Sequence, residues 1–266
     1  DGQTYYYRVC AREIADYQSY SKTFGDTVRS RFYRFKLPAA DQTDFKVMVM
    51  NDLHLVSRDE EAMARIAREE KPDFICFNGD CLPEPSTREE AMYNINRLAK
   101  RLDGAQVPLF FIRGNHEIRN AYSAGMPSLF DYPGGHSYGA FSWGDTRFVI
   151  LDCGEDKPDS DIEYYGLADY DAYRAEECAW LKKAVRSEEF LTASARIVLL
   201  HIPPAAGAWH GSVHLNELFV PVLNEAGIDL MLCGHYHRYH WIDDGSRGVD
   251  FPILVNSNND CLRVSA

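Results

Sequence analysis

Five short apolar runs recur along the chain, at residues 45–50, 74–77, 109–112, 196–200 and 229–233, and each breaks off into a polar cluster. The runs are continuous rather than alternating, which predicts strands buried on both faces, as in a parallel sheet. Between them the period changes. Residues 59–70 (DEEAMARIAREE) place Met63, Ile66 and Ala67 on one face and predict a helix. Residues 87–102 predict a second, opened by Thr87 and Glu90 at capping-box spacing. Further helices are predicted at 169–185 and 214–226, the latter interrupted at Pro221. Strands at 140–143 and 147–151 flank a Gly144-Asp145 turn, and 239–242 with 251–256 read as a closing antiparallel pair. Alternating strands and helices define the α/β class.

Residues 1–37 follow another rule. Aromatic and β-branched runs at 4–12 and 31–37 enclose a polar stretch containing Gly25-Asp26, which predicts a β-hairpin. A two-stranded hairpin is marginal alone in water. The segment is therefore expected to pack on the main domain, or to be the tail of an N-terminal β-sandwich. Residues 38–41 read as a linker, and 44–266 as the main domain.

Composition narrows the function. The 266 residues are 45% hydrophobic and 26% charged, enough for a sizeable core without disulfides. A net charge of −12 argues against binding a nucleic-acid backbone, although phosphate ligands remain open if metals supply positive charge. No apolar run reaches the roughly 20 residues of a membrane span. The start, DGQTYYYRVCARE, has no basic region followed by an apolar one, so no signal peptide is expected in it. The seven cysteines form no CxxC pair, and Cys76 and Cys233 sit in apolar runs as buried thiols.

The chemistry lies at the strand ends. Residues 45–50 lead into Asn51-Asp52-Leu53-His54, and 74–77 into Asn78-Gly79-Asp80. Residues 109–112 lead into Arg113-Gly114-Asn115-His116-Glu117, 196–200 into His201, and 229–233 into Gly234-His235-Tyr236-His237. Ligands of open α/β sheets gather beyond the carboxyl ends of the strands. Residues two apart in an extended segment point the same way, so Asp52 with His54, and His235 with His237, each present a pair. Mixed carboxylate and imidazole donors suit Mn, Fe, Zn or Ni. Asp52, His54, Asp80, Asn115, His201, His235 and His237 are too many for one ion and suit two that share a bridging carboxylate.

The order D-x-H, G-D, G-N-H-E, H, G-H-x-H resembles the calcineurin-like metallophosphoesterase superfamily over most of the chain. The resemblance implies a four-layer α/β/β/α sandwich, here with the short N-terminal β-hairpin. It implies one metal on Asp52, His54, Asp80 and His237 and a second on Asp80, Asn115, His201 and His235, with Asp80 bridging. His116 would face the substrate as general acid. The implied activity is a binuclear metal-dependent phosphoric ester hydrolase, a phosphatase or phosphodiesterase, in which a metal-bridging hydroxide attacks phosphorus. Two such ions, about 3.5–4 Å apart, clamp the attacking and leaving oxygens and lower the pKa of bound water towards about 7. The contrasting reading is a non-catalytic phosphate- or glycan-binding module on the same fold.

The likeness extends distantly to purple acid phosphatases, with two departures. His54 stands where those enzymes carry glycine, and Pro83 where they carry an iron-binding tyrosine, so neither a tyrosinate ligand nor a purple colour is expected. The β-rich N-terminus is similar to that of secreted phosphatases, which implies a periplasmic or extracellular location. A small phosphoester is the expected partner; monoester, diester and pyrophosphate are not separated.

Outside the motif blocks, His210 and His214, in the loop after Pro203-Pro204, are candidates for the phosphate or leaving-group pocket. Arg113 belongs either against phosphate or in a salt bridge under the sheet edge. Glu117 is read as orienting His116 or as a solvated helix-start carboxylate.

Overall fold

The computed structural model describes residues 2–82 and 84–265; Pro83, where the missing tyrosine was noted, lies outside them. The first sheet is built from β5 (Lys46–Met50), β6 (Phe74–Asn78) and β7 (Leu109–Ile112), all parallel, with β14 (Leu262–Ser265) antiparallel at the edge beside β5. The second sheet has the order β12 (His240–Ile242), β13 (Ile253–Val255), β11 (Leu230–Cys233), β10 (Ala195–Leu199), β9 (Thr146–Ile150), β8 (Gly139–Trp143). Its four central strands are parallel and its two edges antiparallel.

Three apolar layers hold these sheets. The faces that meet carry Val47, Val49, Phe74, Cys76 and Ile112 from one sheet and Phe148, Ile150, Ile197, Leu199 and Leu232 from the other. The outer face of the first sheet packs Met48, Met50, Ile75 and Phe77 against Met63, Ala64 and Ala67 of α1 (Ser57–Glu70) and Ala91 and Leu98 of α2 (Arg88–Arg101). The outer face of the second packs Val149, Val198, Met231 and Cys233 against Cys178 and Leu181 of α3 (Tyr170–Ala184) and Leu215, Phe219 and Leu223 of α5 (His210–Ala226). A short α4 (Glu188–Leu191) follows α3. The order is helix, sheet, sheet, helix, the expected four layers. Each fully buried large side chain contributes roughly 1.5–3 kcal/mol, so the continuous apolar runs are explained by strands buried on both faces.

Two expectations about helices meet different outcomes. Thr87 caps α2, its hydroxyl accepting from the Glu90 amide at 3.1 Å, while the Glu90 carboxylate reaches back to the Ser86 amide at 3.0 Å. α5 departs from its prediction: it begins at His210, four residues early, and runs through Pro221 without a break. A proline inside a helix costs about 3 kcal/mol, less than burying Leu215, Phe219, Val220 and Leu223 returns. His210 and His214 therefore sit in a helix and not in a loop.

The N-terminal segment is a long hairpin in two ladders. β1 (Thr4–Tyr7) pairs with β4 (Tyr33–Lys36), and β2 (Cys10–Tyr17) with β3 (Lys22–Arg29). The reversal lies at Gln18–Ser21, where the Gln18 amide bonds the Ser21 carbonyl, so Gly25 falls inside β3 and not in the turn. Ring pairs Tyr5–Phe35 and Tyr7–Tyr33, both at 5.5 Å, and Arg12 over Phe24 at 4.4 Å set that register. β2 and β3 are almost wholly exposed; β1 and β4 lie nearer the body, where the Tyr7 hydroxyl bonds the Ala105 carbonyl at 2.6 Å. No helix among the described residues is long and apolar enough to cross a membrane.

Candidate metal centre

β5, β6, β7, β10 and β11 all end at one rim of the two packed sheets, so their polar tails converge there. The chain turns sharply at these ends. Asp52, His54, Asp80, His235 and His237 all have positive φ, between 43° and 74°. Such backbone costs a non-glycine residue of order 1–3 kcal/mol and persists only where the surroundings impose it. Backbone bonds between the turns supply that: Asp52 N to Gly79 O at 3.0 Å, His54 N to Asp80 O at 3.0 Å, and Gly234 N to His201 O at 2.9 Å. Close approach requires Gly79, where a Cβ would stand 2.3 Å from the His201 ring.

Each side chain is aimed by a partner behind it. Asp52 Oδ2 accepts from the Asn51 amide at 2.5 Å and from His235 N at 2.9 Å, and Asn256 holds Asn51 in turn at 2.8 Å. This leaves Asp52 Oδ1 facing His237 Nε2 at 3.2 Å, His201 Nε2 at 3.7 Å and His54 Nε2 at 3.9 Å. His201 Nδ1 lies 2.8 Å from the Asn78 carbonyl, which places its proton there and turns Nε2 towards Asp80 Oδ2 at 3.1 Å. Asp80 Oδ1 accepts from His116 N at 2.9 Å. Glu117 neither orients His116 nor meets solvent. Fully buried, it accepts from the amides of Asp80, Leu82 and Gly114 at 2.8–2.9 Å and stitches two of the turns together.

The electrostatics follow from burial and crowding. Burial alone would lower His201, but the carboxylates of Asp80 and Asp52 outweigh it and raise the imidazole to about 10. Burial likewise opposes ionisation of Asp80 and Asp52, yet His201 holds both below the usual carboxylate range. Burial, then the charge of His201, pushes His235 down to about 4. Glu117 is pushed up to about 7 by burial and by Asp80.

Donor atoms of Asp52, His54 and His237 lie within 4.8 Å of one another, and so do those of Asp80, His201 and His235. Asp52 Oδ1, Asn115 Oδ1 and His201 Nε2 are buried without a hydrogen bond. Unmatched buried polar atoms cost about 1–3 kcal/mol each, and cations would recover that cost. Buried orphan donors of mixed oxygen and imidazole chemistry therefore fit transition-metal ions. Six of the seven positions expected from the sequence, all but Asn115, fall in these two groups, and Asn115 lies just beyond the end of β7.

His116 lies beside this cluster, its ring 4.7 Å from that of His54 and its Nε2 3.9 Å from Asp80 Oδ2. Distance alone would also admit it as a donor with His54 and Asp80. Its other contacts distinguish it: Nδ1 meets Glu84 at 2.9 Å, and Nε2 faces Arg119 at 3.4 Å. Arg119 is in turn held by Glu155 at 2.6 Å. No local pattern marks Glu84 or Arg119 in the sequence, and Glu155 opens an acidic run, 155–161, that reads as a solvated loop, whereas its side chain is buried. Arg113 is taken up in a buried ion pair with Asp152 at 2.6 Å. His210 and His214 gather on Asp171, away from the two clusters of donors. A cavity of about 510 Å³ shares Arg119 with the surroundings of His116 and is lined by Tyr164, Leu167 and Tyr170.

Comparison with known proteins bears on the family and the fold. The serine/threonine-protein phosphatase CPPED1 of Mus musculus is 24% identical over 220 residues, covering 79% of this chain and 66% of that protein. The chain thus spans just under two thirds of that relative's length. A solved dimetal phosphatase from Danio rerio superposes with a TM-score of 0.59 at 14% identity, covering 82% of this chain and 88% of that one. GAP50, the anchor in the inner membrane complex of Plasmodium, superposes with a TM-score of 0.52 at 17% identity, covering 82% and 73%. At these identities the solved structures speak for the fold alone. The profile of the calcineurin-like phosphoesterases matches residues 45–239, most of the chain, with every strand-end motif inside it, and the protein belongs to that family.

Proposed function

We propose that the protein is a binuclear metal-dependent hydrolase of small phosphoesters. The observation that carries this is the convergence of the strand-end carboxylates and imidazoles, among them Asp52 Oδ1 and His201 Nε2, which are buried without a hydrogen bond. Asp52, His54, Asp80 and His237 would hold one ion, and Asp80, Asn115, His201 and His235 the other. Ions bound there supply Lewis acidity towards phosphoryl oxygens and a water acidic enough to ionise near neutral pH.

The chain's own groups do the remainder. His116 delivers the Nε2 proton to the leaving oxygen, while Glu84 at Nδ1 fixes the orientation of the ring. Arg119, anchored by Glu155, places a fixed positive charge beside that proton and suits a phosphoryl oxygen. The cavity lined by Tyr164, Leu167 and Tyr170 receives the leaving group, with room for an aromatic or apolar one. Arg113 is buried in its ion pair with Asp152 and is given no part in the reaction.

Metal analysis alongside hydrolysis of p-nitrophenyl phosphate and bis-p-nitrophenyl phosphate tests this reading. Wild type should hold at least two ions and hydrolyse one of the esters, and His116→Ala should keep the metal while losing about 10²–10⁴-fold in rate. Fewer than two ions per chain after Mn or Zn is supplied would sink it. Full metal with hydrolysis of neither ester would favour the phosphate-binding module instead.

A further inference from the structure

A second cluster of metal-ligand chemistry lies outside the strand-end centre. Asp171 stands in the first turn of α3, and His210 and His214 in the first turns of α5. Residues four apart on a helix share a face, so the two imidazoles stack, 5.6 Å apart at 21°. His210 Nε2 is 2.8 and 2.9 Å from the two Asp171 oxygens, and His214 Nδ1 is 3.1 Å from Oδ1. One donor atom from each lies within 4.8 Å of the other two. A hydrogen-bonded histidine–aspartate pair would explain His210 alone. It does not explain His214, whose Nδ1 is buried, directed at the same carboxylate, and in no hydrogen bond.

We propose that Asp171, His210 and His214 form a third, mononuclear cation site, which takes Zn²⁺ or a chemically similar transition ion. Two imidazoles at i and i+4 with one carboxylate are donors of that class, whereas Mg²⁺ and Ca²⁺ prefer all-oxygen shells. The three side chains retain between 19% and 40% exposure, which leaves coordination positions for water. The carboxylate is held in place beforehand. Arg174, fully buried, donates to Asp171 Oδ1 at 2.9 Å and to the carbonyls of Cys153 and Glu155. Its positive charge lowers the pull of this carboxylate on a cation. Asp171, Arg174, Glu155, Arg119 and His116 are joined by successive contacts, so an ion here braces the rim that carries Arg119.

The site does not rest on the phosphoesterase reading, and its test is stoichiometric. The full chain is stripped with chelator, reloaded with Zn²⁺, and measured for bound metal. Wild type should take three equivalents. His210→Ala/His214→Ala, and the milder His214→Gln, should lose one. Asp80→Ala/His201→Ala, checked for folding by circular dichroism, should still bind one, and with Co²⁺ in place of Zn²⁺ should show visible absorption that a further His210→Ala abolishes. If wild type takes one equivalent and His214→Gln removes it, the third site stands and the binuclear reading fails. Unchanged stoichiometry in His214→Gln and in the double histidine variant would overturn the proposal, as would a folded Asp80→Ala/His201→Ala protein that takes up neither metal.

Discussion

At the scale of single residues, the centre is held by atoms that face away from it. Asp52 is aimed by Asn51 and the His235 amide, and His201 by a carbonyl of the neighbouring sheet. His201 has a further consequence. Its imidazole is raised to about 10 by two carboxylates, so in metal-free protein the proton leaves only as pH rises through that value. The associated stability is full below the ordinary histidine pKa of about 6.5 and disappears towards pH 10. A cation must expel that proton, and its apparent affinity should rise about tenfold per pH unit between pH 6 and 8 for each proton released. Calorimetry in buffers of different ionisation enthalpy counts the protons; a flat affinity over that range would contradict the assignment. The candidate ligands are legible in the sequence because each lies within a few residues of the end of an apolar run. Their supports were not: Glu84, Glu117 and Asn256 meet their partners only through tertiary folding, Asn256 across 205 positions of chain.

At the scale of elements, strands were read more reliably than their neighbours. A strand buried on both faces writes a continuous apolar run, and β5, β6, β7, β10 and β11 are such strands. α5 was placed four residues late because Trp209, its N-cap, has no side-chain oxygen to announce the start, and because Pro221 gave a stop signal that packing overrides. β14 escaped notice: four residues carry little periodicity, and its pairing partner β5 lies far back in the chain. The hairpin reverses inside the polar stretch between residues 12 and 31, as its pattern predicts, and aromatic pairing across β1 and β4 accompanies a register that leaves Gly25 inside β3. The interface between the sheets depends most on Phe74 of β6, fully buried among the rings of Phe45, Phe110, Phe141, Trp143 and Phe148. Phe74→Ala should cost about 3–5 kcal/mol in denaturant unfolding. A loss below about 1 kcal/mol would show that the sheets do not meet there.

At the scale of the whole molecule, the four layers are two halves, each a sheet with its helices, joined by one apolar seam. The first half carries Asp52, His54, Asp80 and Asn115, the second His201, His235 and His237. Chelation should therefore speed amide hydrogen exchange in the strand-end turns of both halves together, while strand amides at the seam keep their protection. Faster exchange confined to one half would contradict the shared centre.

Each ion of the proposed strand-end pair would draw ligands from both halves, and this would give that centre a mechanical meaning apart from its chemistry. The seam is a broad, compliant glue, whereas an ion gripped from both sides is a rivet at one rim. With such rivets in place the halves would not hinge open at that rim, and the five left-handed residues of the strand-end turns would be held in that backbone. A metal-starved chain is then a looser body that comes apart from the rim inwards.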